Sequence, residues 1–238
     1  MVSDPSKDGI RVVVIDDQSV VRVGLRMIVD AEPDLRVVAE GGDGFDAIEL
    51  AQEHRPDVVL MDIRMPRLDG VGATRRIVDD GTAGAVVIIT TFDDEEYLLE
   101  SVRAGASGFL LKDAGPDLIS AAIRTAHRGD ALIDPLMTRA LLQHRLEGTR
   151  VPVEDGDRKD VLRQLTDRER DVLSAVARGL SNAAVADEMF VSEATVKTHI
   201  RSILTKTGAR SRVEAAVFAY ESGFVVPGWL QQGAVEPR

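Results

Sequence analysis

The chain contains no cysteine. Disulfides, zinc-thiolate sites and iron–sulfur clusters are thereby excluded, and a reducing cytosol suits it. Aromatic residues make up only 4%, which leaves little with which to line a large apolar ligand pocket. The four histidines, His54, His127, His144 and His199, are scattered, with no pair at metal-ligand spacing. No apolar run approaches the roughly 18–20 residues of a membrane span. The opening MVSDPSKDGI lacks the basic-then-apolar order of a signal peptide. These absences predict a soluble, cytoplasmic protein.

Basic charge is also scarce. The formal net charge is −11, which looks wrong for a nucleic-acid binder. Its distribution changes that view. From Thr166 onward acidic and basic residues balance, so the whole excess lies before that point. Between Ala194 and Val213 stand Lys197, Arg201, Lys206, Arg210 and Arg212, with no acidic residue among them. That is an anion-binding face on an otherwise acidic chain.

With 238 residues, 44% of them hydrophobic, the chain is long enough for one large or two modest domains. Short β-branched runs alternate with helical patterns up to about residue 128. The strand candidates are Ile10–Ile15, Leu35–Ala39, Asp57–Met61, Ala85–Ile89 and Gly108–Leu111. Helical patterns fall at Val20–Val29, Gly44–His54, Gly70–Val78, Glu95–Ala104 and Pro116–Arg128. Five strands alternating with five helices predict a doubly wound, five-stranded parallel α/β sheet. Asp134–Leu146 is a further helix candidate. Glu147–Gln164 is polar, contains Gly148, Pro152 and Gly156, and is the best linker candidate.

Beyond it the pattern is all-α, with four helices. Thr166-Asp167-Arg168-Glu169 is a capping box opening Asp167–Arg178, which Gly179 ends. Ser181 can cap Asn182–Met189, Ser192 can cap Glu193–Thr207 and Ser211 can cap Arg212–Glu221. The expected domains are residues 8–130, a helix and linker over 131–164, a helical domain over 165–226 and a tail over 227–238.

In a parallel α/β sheet the strand carboxyl ends share one edge, where ligands bind. Asp16 and Asp17, Asp62, Thr90 and Lys112 each stand at or just past such an end. Three carboxylates, a hydroxyl and an ammonium then meet in one pocket, which suits a divalent metal and a phosphoryl group. Mg²⁺ takes oxygen ligands and keeps several waters, so one or two carboxylates plus a phosphate suffice: Asp17, or Asp16 and Asp17 together, can hold it, and Asp62 can be both metal ligand and nucleophile. A carboxylate attacking phosphorus gives an aspartyl phosphate, with Asp62 as nucleophile. Thr90 can hydrogen-bond a phosphoryl oxygen and Lys112 can supply a compact charge.

The motifs VVVIDDQ, VVLMDIRMPRLDG, VVIITTFDD and AGASGFLLKD resemble the response-regulator receiver domain over residues 10–128. The resemblance implies phosphorylation of Asp62 by a sensor histidine kinase, with Asp16 and Asp17 at the metal site. It makes Thr90 the switch hydroxyl, Phe109 the switch aromatic and Lys112 the phosphate contact. Arg67 stands where a small residue is common.

Residues Ser181–Thr207 predict helix, short turn, helix, with the second helix entering the major groove. Its inner face carries Val196, Ile200, Ile203 and Leu204. Lys197 and Arg201, spaced i, i+4 with Thr198 beside them, suit guanine acceptors. Lys206, Arg210 and Arg212 are expected at phosphates, as are Asn182, Ser192 and Thr195 at helix starts. LTDRERDVL, GLSNAAVADEMFVSEATVKTHIRSILTKTG and ARSRVEAAVFAY resemble the C-terminal domain of NarL/LuxR-type regulators. Together the two resemblances imply a transcriptional regulator rather than an enzyme. Its partners would be the kinase, double-stranded promoter DNA, RNA polymerase and a second copy of the chain, the homodimer forming on phosphorylation. Two other classes fit the sequence less well. A hydrolase similar to the haloacid dehalogenases needs an acid two residues after the nucleophile, where Arg64 stands. A ligand-sensing regulator needs an aromatic pocket.

Overall fold

A computed structural model describes residues 9–91, 95–133 and 155–225. The chain divides into two compact units, Met1–Thr149 and Arg150–Arg238.

In the first unit β1 (Ile10–Ile15), β2 (Leu35–Gly41), β3 (Val58–Asp62), β4 (Ala85–Thr90), β5 (Gly108–Leu111) and β6 (Leu132–Ile133) form one sheet, in the order β2-β1-β3-β4-β5-β6. Every pairing is parallel. The connecting helices are α1 (Ser19–Asp30), α2 (Gly44–His54), α3 (Gly70–Asp79), α4 (Glu95–Ala104) and α5 (Pro116–His127). The strand runs are unbroken apolar sequence because β3, β4 and β5 are buried along their whole length. One face of the sheet packs Val12, Val14, Leu60 and Val87 against Leu25 and Val29 of α1 and Ile119 and Ile123 of α5.

Among the described residues the sheet has six strands where five were expected. The sixth is two residues long and pairs Leu132 with Gly108 and Ile133 with Phe109. β3 and β4 each run one residue further than the apolar pattern, so Asp62 and Thr90 are the last residues of their strands. The expected helix Asp134–Leu146 lies outside the described residues, as does the tail from 227.

The second unit is helical: α6 (Asp155–Gln164), α7 (Asp167–Ala177), α8 (Asn182–Met189), α9 (Glu193–Thr207) and α10 (Arg212–Glu221). α6 corrects the linker expectation, because residues 155–164 are helix. Its Leu162 packs against the core of the unit, and Arg170 of α7 donates to the Leu162 carbonyl. α7 opens on the full capping box. Glu169 N–H donates to Thr166 Oγ1, and Thr166 N–H donates to Glu169 Oε2. Ser181, Ser192 and Ser211 cap the next three helices through the N–H groups of Ala184, Thr195 and Glu214. Val172, Val176, Val185, Val196, Ile203 and Ala219 form the core. Among the described residues no helix is long and apolar enough to cross a membrane.

Candidate functional site

The strand order reverses between β1 and β3, since the chain moves outward to β2 and then returns to the other side of β1. Carboxyl ends at such a switch point border a crevice. Asp16 and Asp17 follow β1 there, Asp62 ends β3, Thr90 ends β4 and Lys112 follows β5. All five sequence-nominated residues therefore share one edge. Carboxylate oxygens of Asp16, Asp17 and Asp62 lie within 4.8 Å of one another. Asp16 and Asp62 are buried and Asp17 is exposed, which gives the cluster one open side.

Lys112 joins the two buried carboxylates. Its Nζ lies 2.7 Å from Asp16 Oδ2 and 2.9 Å from Asp62 Oδ2. The other oxygens accept from backbone: Asp16 Oδ1 from Gln18 N–H at 2.8 Å, and Asp62 Oδ1 from Ile63 N–H at 2.9 Å. Lys112 is itself placed by its N–H, which donates to the Thr90 carbonyl at 2.7 Å. Thr90 and Phe109 are fully buried. Gly70 closes the floor. A β-carbon there would sit 1.9 Å from the Asp62 carbonyl oxygen, so only glycine lets α3 start so close to the site.

Burial raises the Asp62 carboxyl to about 6. Asp16 adds repulsion, and Lys112 and the Ile63 N–H pull partly back. Burial also works against the Lys112 ammonium, but its hydrogen bonds to Asp16 and Asp62 prevail and hold it above the ordinary lysine value. Three carboxylates facing one ammonium leave an excess of negative charge. That excess, and an all-oxygen donor set with an open side, fit a hard divalent cation such as Mg²⁺.

In the second unit, α8, the turn Phe190-Val191-Ser192 and α9 make the helix-turn-helix. Phe190 ends α8 in the left-handed conformation. Val196 and Ile203 are buried, and Ile200 and Leu204 pack beside them, as the inner face required. Lys197, Thr198 and Arg201 are exposed together on α9, and Ser192 and Arg210 are exposed at its two ends. Ser192 Oγ lies 2.9 Å from Thr195 Oγ1.

Three residues nominated for phosphate contacts bond within the unit: Asn182 and Arg212 are buried and Lys206 is half-buried. Asn182 is 2% exposed, and its Oδ1 accepts from Arg212 Nη1 at 2.7 Å. Arg212 is also buried and donates to the Leu180 carbonyl as well. Lys206 is paired with Glu169. Glu169 further accepts from Ser202 Oγ at 2.6 Å. Burial opposes its charge, but Lys206, Ser202 and the Thr166 N–H outweigh that and hold the carboxyl at about 2. The capping box pointed to one of its oxygens; nothing in the spacing pointed to the other, which reaches more than thirty residues along the chain. Thr207 continues α9 to its end by donating to the Ile203 carbonyl.

Residues 12–124 match the family described as the response regulator receiver domain. Residues 163–219 match the family described as bacterial regulatory proteins, luxR family. The chain is 42% identical over 220 residues to the uncharacterized transcriptional regulatory protein YxjL of Bacillus subtilis (strain 168), covering 92% of this chain and 99% of that one. It is 37% identical over 210 residues to the oxygen regulatory protein NreC of Staphylococcus carnosus (strain TM300), covering 88% and 96%. Among solved structures it is similar to ChrA, the response regulator of a heme-sensing two-component system. That match has a TM-score of 0.52 and 38% identity, and covers 92% of this chain and 100% of the other.

Proposed function

Since the chain belongs to the two-component response regulators that join a receiver domain to a LuxR-type DNA-binding domain, we propose that phosphorylation of Asp62 controls its binding to promoter DNA. It is a transcriptional regulator, not an enzyme. The observation that carries the Asp62 reading is the single Lys112 ammonium within 2.9 Å of both buried carboxylates, beside the exposed Asp17.

In that chemistry an Asp62 oxygen attacks phosphorus, and the bond from phosphorus to the donor breaks with its electron pair on the donor. The donor is a phosphohistidine of a sensor kinase, or a small acyl phosphate in the test tube. Asp16, Asp17 and Asp62 would hold Mg²⁺, which neutralises charge on the phosphoryl oxygens. Lys112 leaves its bridge between the carboxylates to meet a phosphoryl oxygen, and Thr90 donates to another. Phe109, buried on the neighbouring strand, follows Thr90.

On DNA, Lys197 and Arg201, with Thr198 beside them, read base edges while Ser192, Thr195 and Arg210 meet the backbone. A single helix-turn-helix spans few base pairs, so a phosphorylation-induced homodimer on paired half-sites completes the operator complex. RNA polymerase is the partner through which transcription changes, and the setting is the cytoplasm. The receiver spans residues 8–130 with β6 added at its edge, and the DNA-binding domain spans residues 165–226 with α6 packed before it.

Full-length protein incubated with acetyl phosphate and Mg²⁺ should gain one phosphate by intact mass, and Asp62→Asn should not. The phosphorylated form should bind operator DNA more tightly. An unmodified wild type, or an Asp62→Asn variant that still gains the phosphate, refutes the assignment.

A further inference from the structure

The loop from Ile63 to Asp69 joins the proposed phosphoacceptor to α3, and its crest holds an arginine in an unusual place. Arg67 has φ +66°, and Leu68 N–H donates to the Pro66 carbonyl at 2.8 Å across it. A hydrogen bond from residue i+2 to residue i over a positive φ is a γ-turn of the rare, strained hand. A non-glycine residue at its centre persists only where surroundings over-determine it.

The surroundings come from the first turn of α2. Arg67 Nη2 is paired with Asp43 and lies 3.2 Å from Asp46 Oδ1. Both carboxylates are already oriented by backbone. Asp43 caps α2 by accepting from Phe45 and Asp46 N–H, and Asp46 Oδ2 accepts from Gly42 N–H at 2.8 Å. The guanidinium also sits 5.6 Å from the centroid of the Phe45 ring. Beside it, Gly44 N–H donates to the Leu68 carbonyl at 3.0 Å. A β-carbon at Gly44 would come within 2.6 Å of that oxygen, so the loop rests directly on the helix start.

The other end of the loop touches the site. Ile63 N–H binds Asp62 Oδ1, and the Ile63 carbonyl accepts from Gly70 N–H at 2.8 Å. The path of the loop therefore fixes the N–H that orients the Asp62 carboxylate.

We propose that Arg67 is a positioning residue for phosphoryl chemistry at Asp62, pinning the loop after β3 to the first turn of α2 and thereby lengthening the life of the aspartyl phosphate. The role rests on Asp62 being the phosphoacceptor. Decay of that group is attack of water on phosphorus with departure of the Asp62 carboxylate, yielding inorganic phosphate. A loop free to lift lets the Ile63 N–H drift and admits water.

Three variants test it: Arg67→Gly keeps the left-handed backbone and deletes the clamp, Arg67→Lys keeps one charge contact without the two-carboxylate grip, and Asp46→Asn weakens one partner. Each full-length protein is phosphorylated with acetyl phosphate and Mg²⁺, freed of donor and followed by intact mass. Decay in Arg67→Gly should be roughly threefold to tenfold faster than in wild type, the scale of a lost positioning contact. Its unfolding midpoint should stay within about 2 °C, because relieved backbone strain offsets the lost pairs. Arg67→Lys and Asp46→Asn should fall between. The Arg67 side chain is 58% exposed, so about 0.5 M NaCl should narrow the gap between wild type and Arg67→Gly. Unchanged decay in Arg67→Gly overturns the role. So does faster decay in all variants in proportion to lost thermal stability, which marks a merely structural residue. A wild type that gains no phosphate fails the phosphoacceptor reading itself, an outcome visible before any variant is compared.

Discussion

Lys206 places its Nζ 2.7 and 2.9 Å from the two carboxylate oxygens of Glu169, a side chain only 6% exposed. The last turn of α9 is thereby tied to the first turn of α7, and the basic group nominated for DNA serves the scaffold that aims the helix. Lys206→Ala should destabilise the DNA-binding unit by about 2 kcal/mol, since it strips a buried carboxylate of its counter-charge. The slope of log affinity against log salt should hardly change. Urea unfolding and a salt series of DNA titrations measure both. A slope reduced by about one, with stability intact, would return Lys206 to the phosphate backbone.

The same pair makes a pH prediction. The Glu169 carboxyl is lowered from 4.5 to about 2 in the folded protein. A depressed carboxyl contributes stability that is present above its unfolded value and lost as pH falls through the folded one. The unit should therefore weaken between about pH 4.5 and 2, and Glu169→Gln should flatten that limb while lowering stability at neutral pH. Unfolding free energies of both proteins across that window decide it.

Asp62 has the opposite sign. Its carboxyl is raised from 3.8 to about 6, so ionising it opposes folding, and that penalty grows as pH rises through this range. Asp62→Asn should raise stability at pH 7 without Mg²⁺ by on the order of 2 kcal/mol. Added Mg²⁺ should stabilise the wild type and do less for the variant, narrowing the difference. Thermal unfolding with Mg²⁺ or a chelator gives the four numbers needed; an Asp62→Asn protein less stable than wild type in the chelator contradicts it.

Asp17 is the exposed member of the acidic cluster. Asp17→Asn removes one charged oxygen donor without disturbing the Lys112 bridge, so it should raise the Mg²⁺ concentration needed for half-maximal phosphorylation. Superimposable Mg²⁺ titrations of the two proteins would remove Asp17 from the site.

On α9, Lys197→Ala should lose about 1–3 kcal/mol at the operator and relax base preference there. Arg210→Ala should weaken operator and random DNA alike and lower the salt slope by about one. Equal losses on both DNAs for Lys197→Ala would mark it as a backbone contact.

The α/β unit was legible because β3, β4 and β5 are buried along their whole length, and buried parallel strands announce themselves as unbroken apolar runs. The same property made the polar residues that end those runs conspicuous, so Asp62, Thr90 and Lys112 stood out before any geometry. β6 was not legible, because two residues carry no periodicity. Nor was α6, whose sequence DGDRKDVLRQ offers few apolar residues; packing of Leu162 on the helical core, with its carbonyl held by Arg170, outweighs weak local preference there. Charge was the least reliable guide. Lys197 and Arg201 stayed on the surface, but Arg212 turned inward to Asn182 and the Leu180 carbonyl, and a basic residue looks the same in sequence whether it meets water or a buried acceptor.

The loop that carries Arg67 is open to sequence drift at one end only. Gly70 admits no β-carbon against the Asp62 carbonyl, so that position is closed to every other residue while the site survives. The Arg67 side chain is 58% exposed, and its replacement removes none of the reacting side chains Asp16, Asp17, Asp62, Thr90 and Lys112. By the role proposed for Arg67, exchange of this one residue on the crest of the loop sets how long the chain remembers a signal while the reacting groups stay the same.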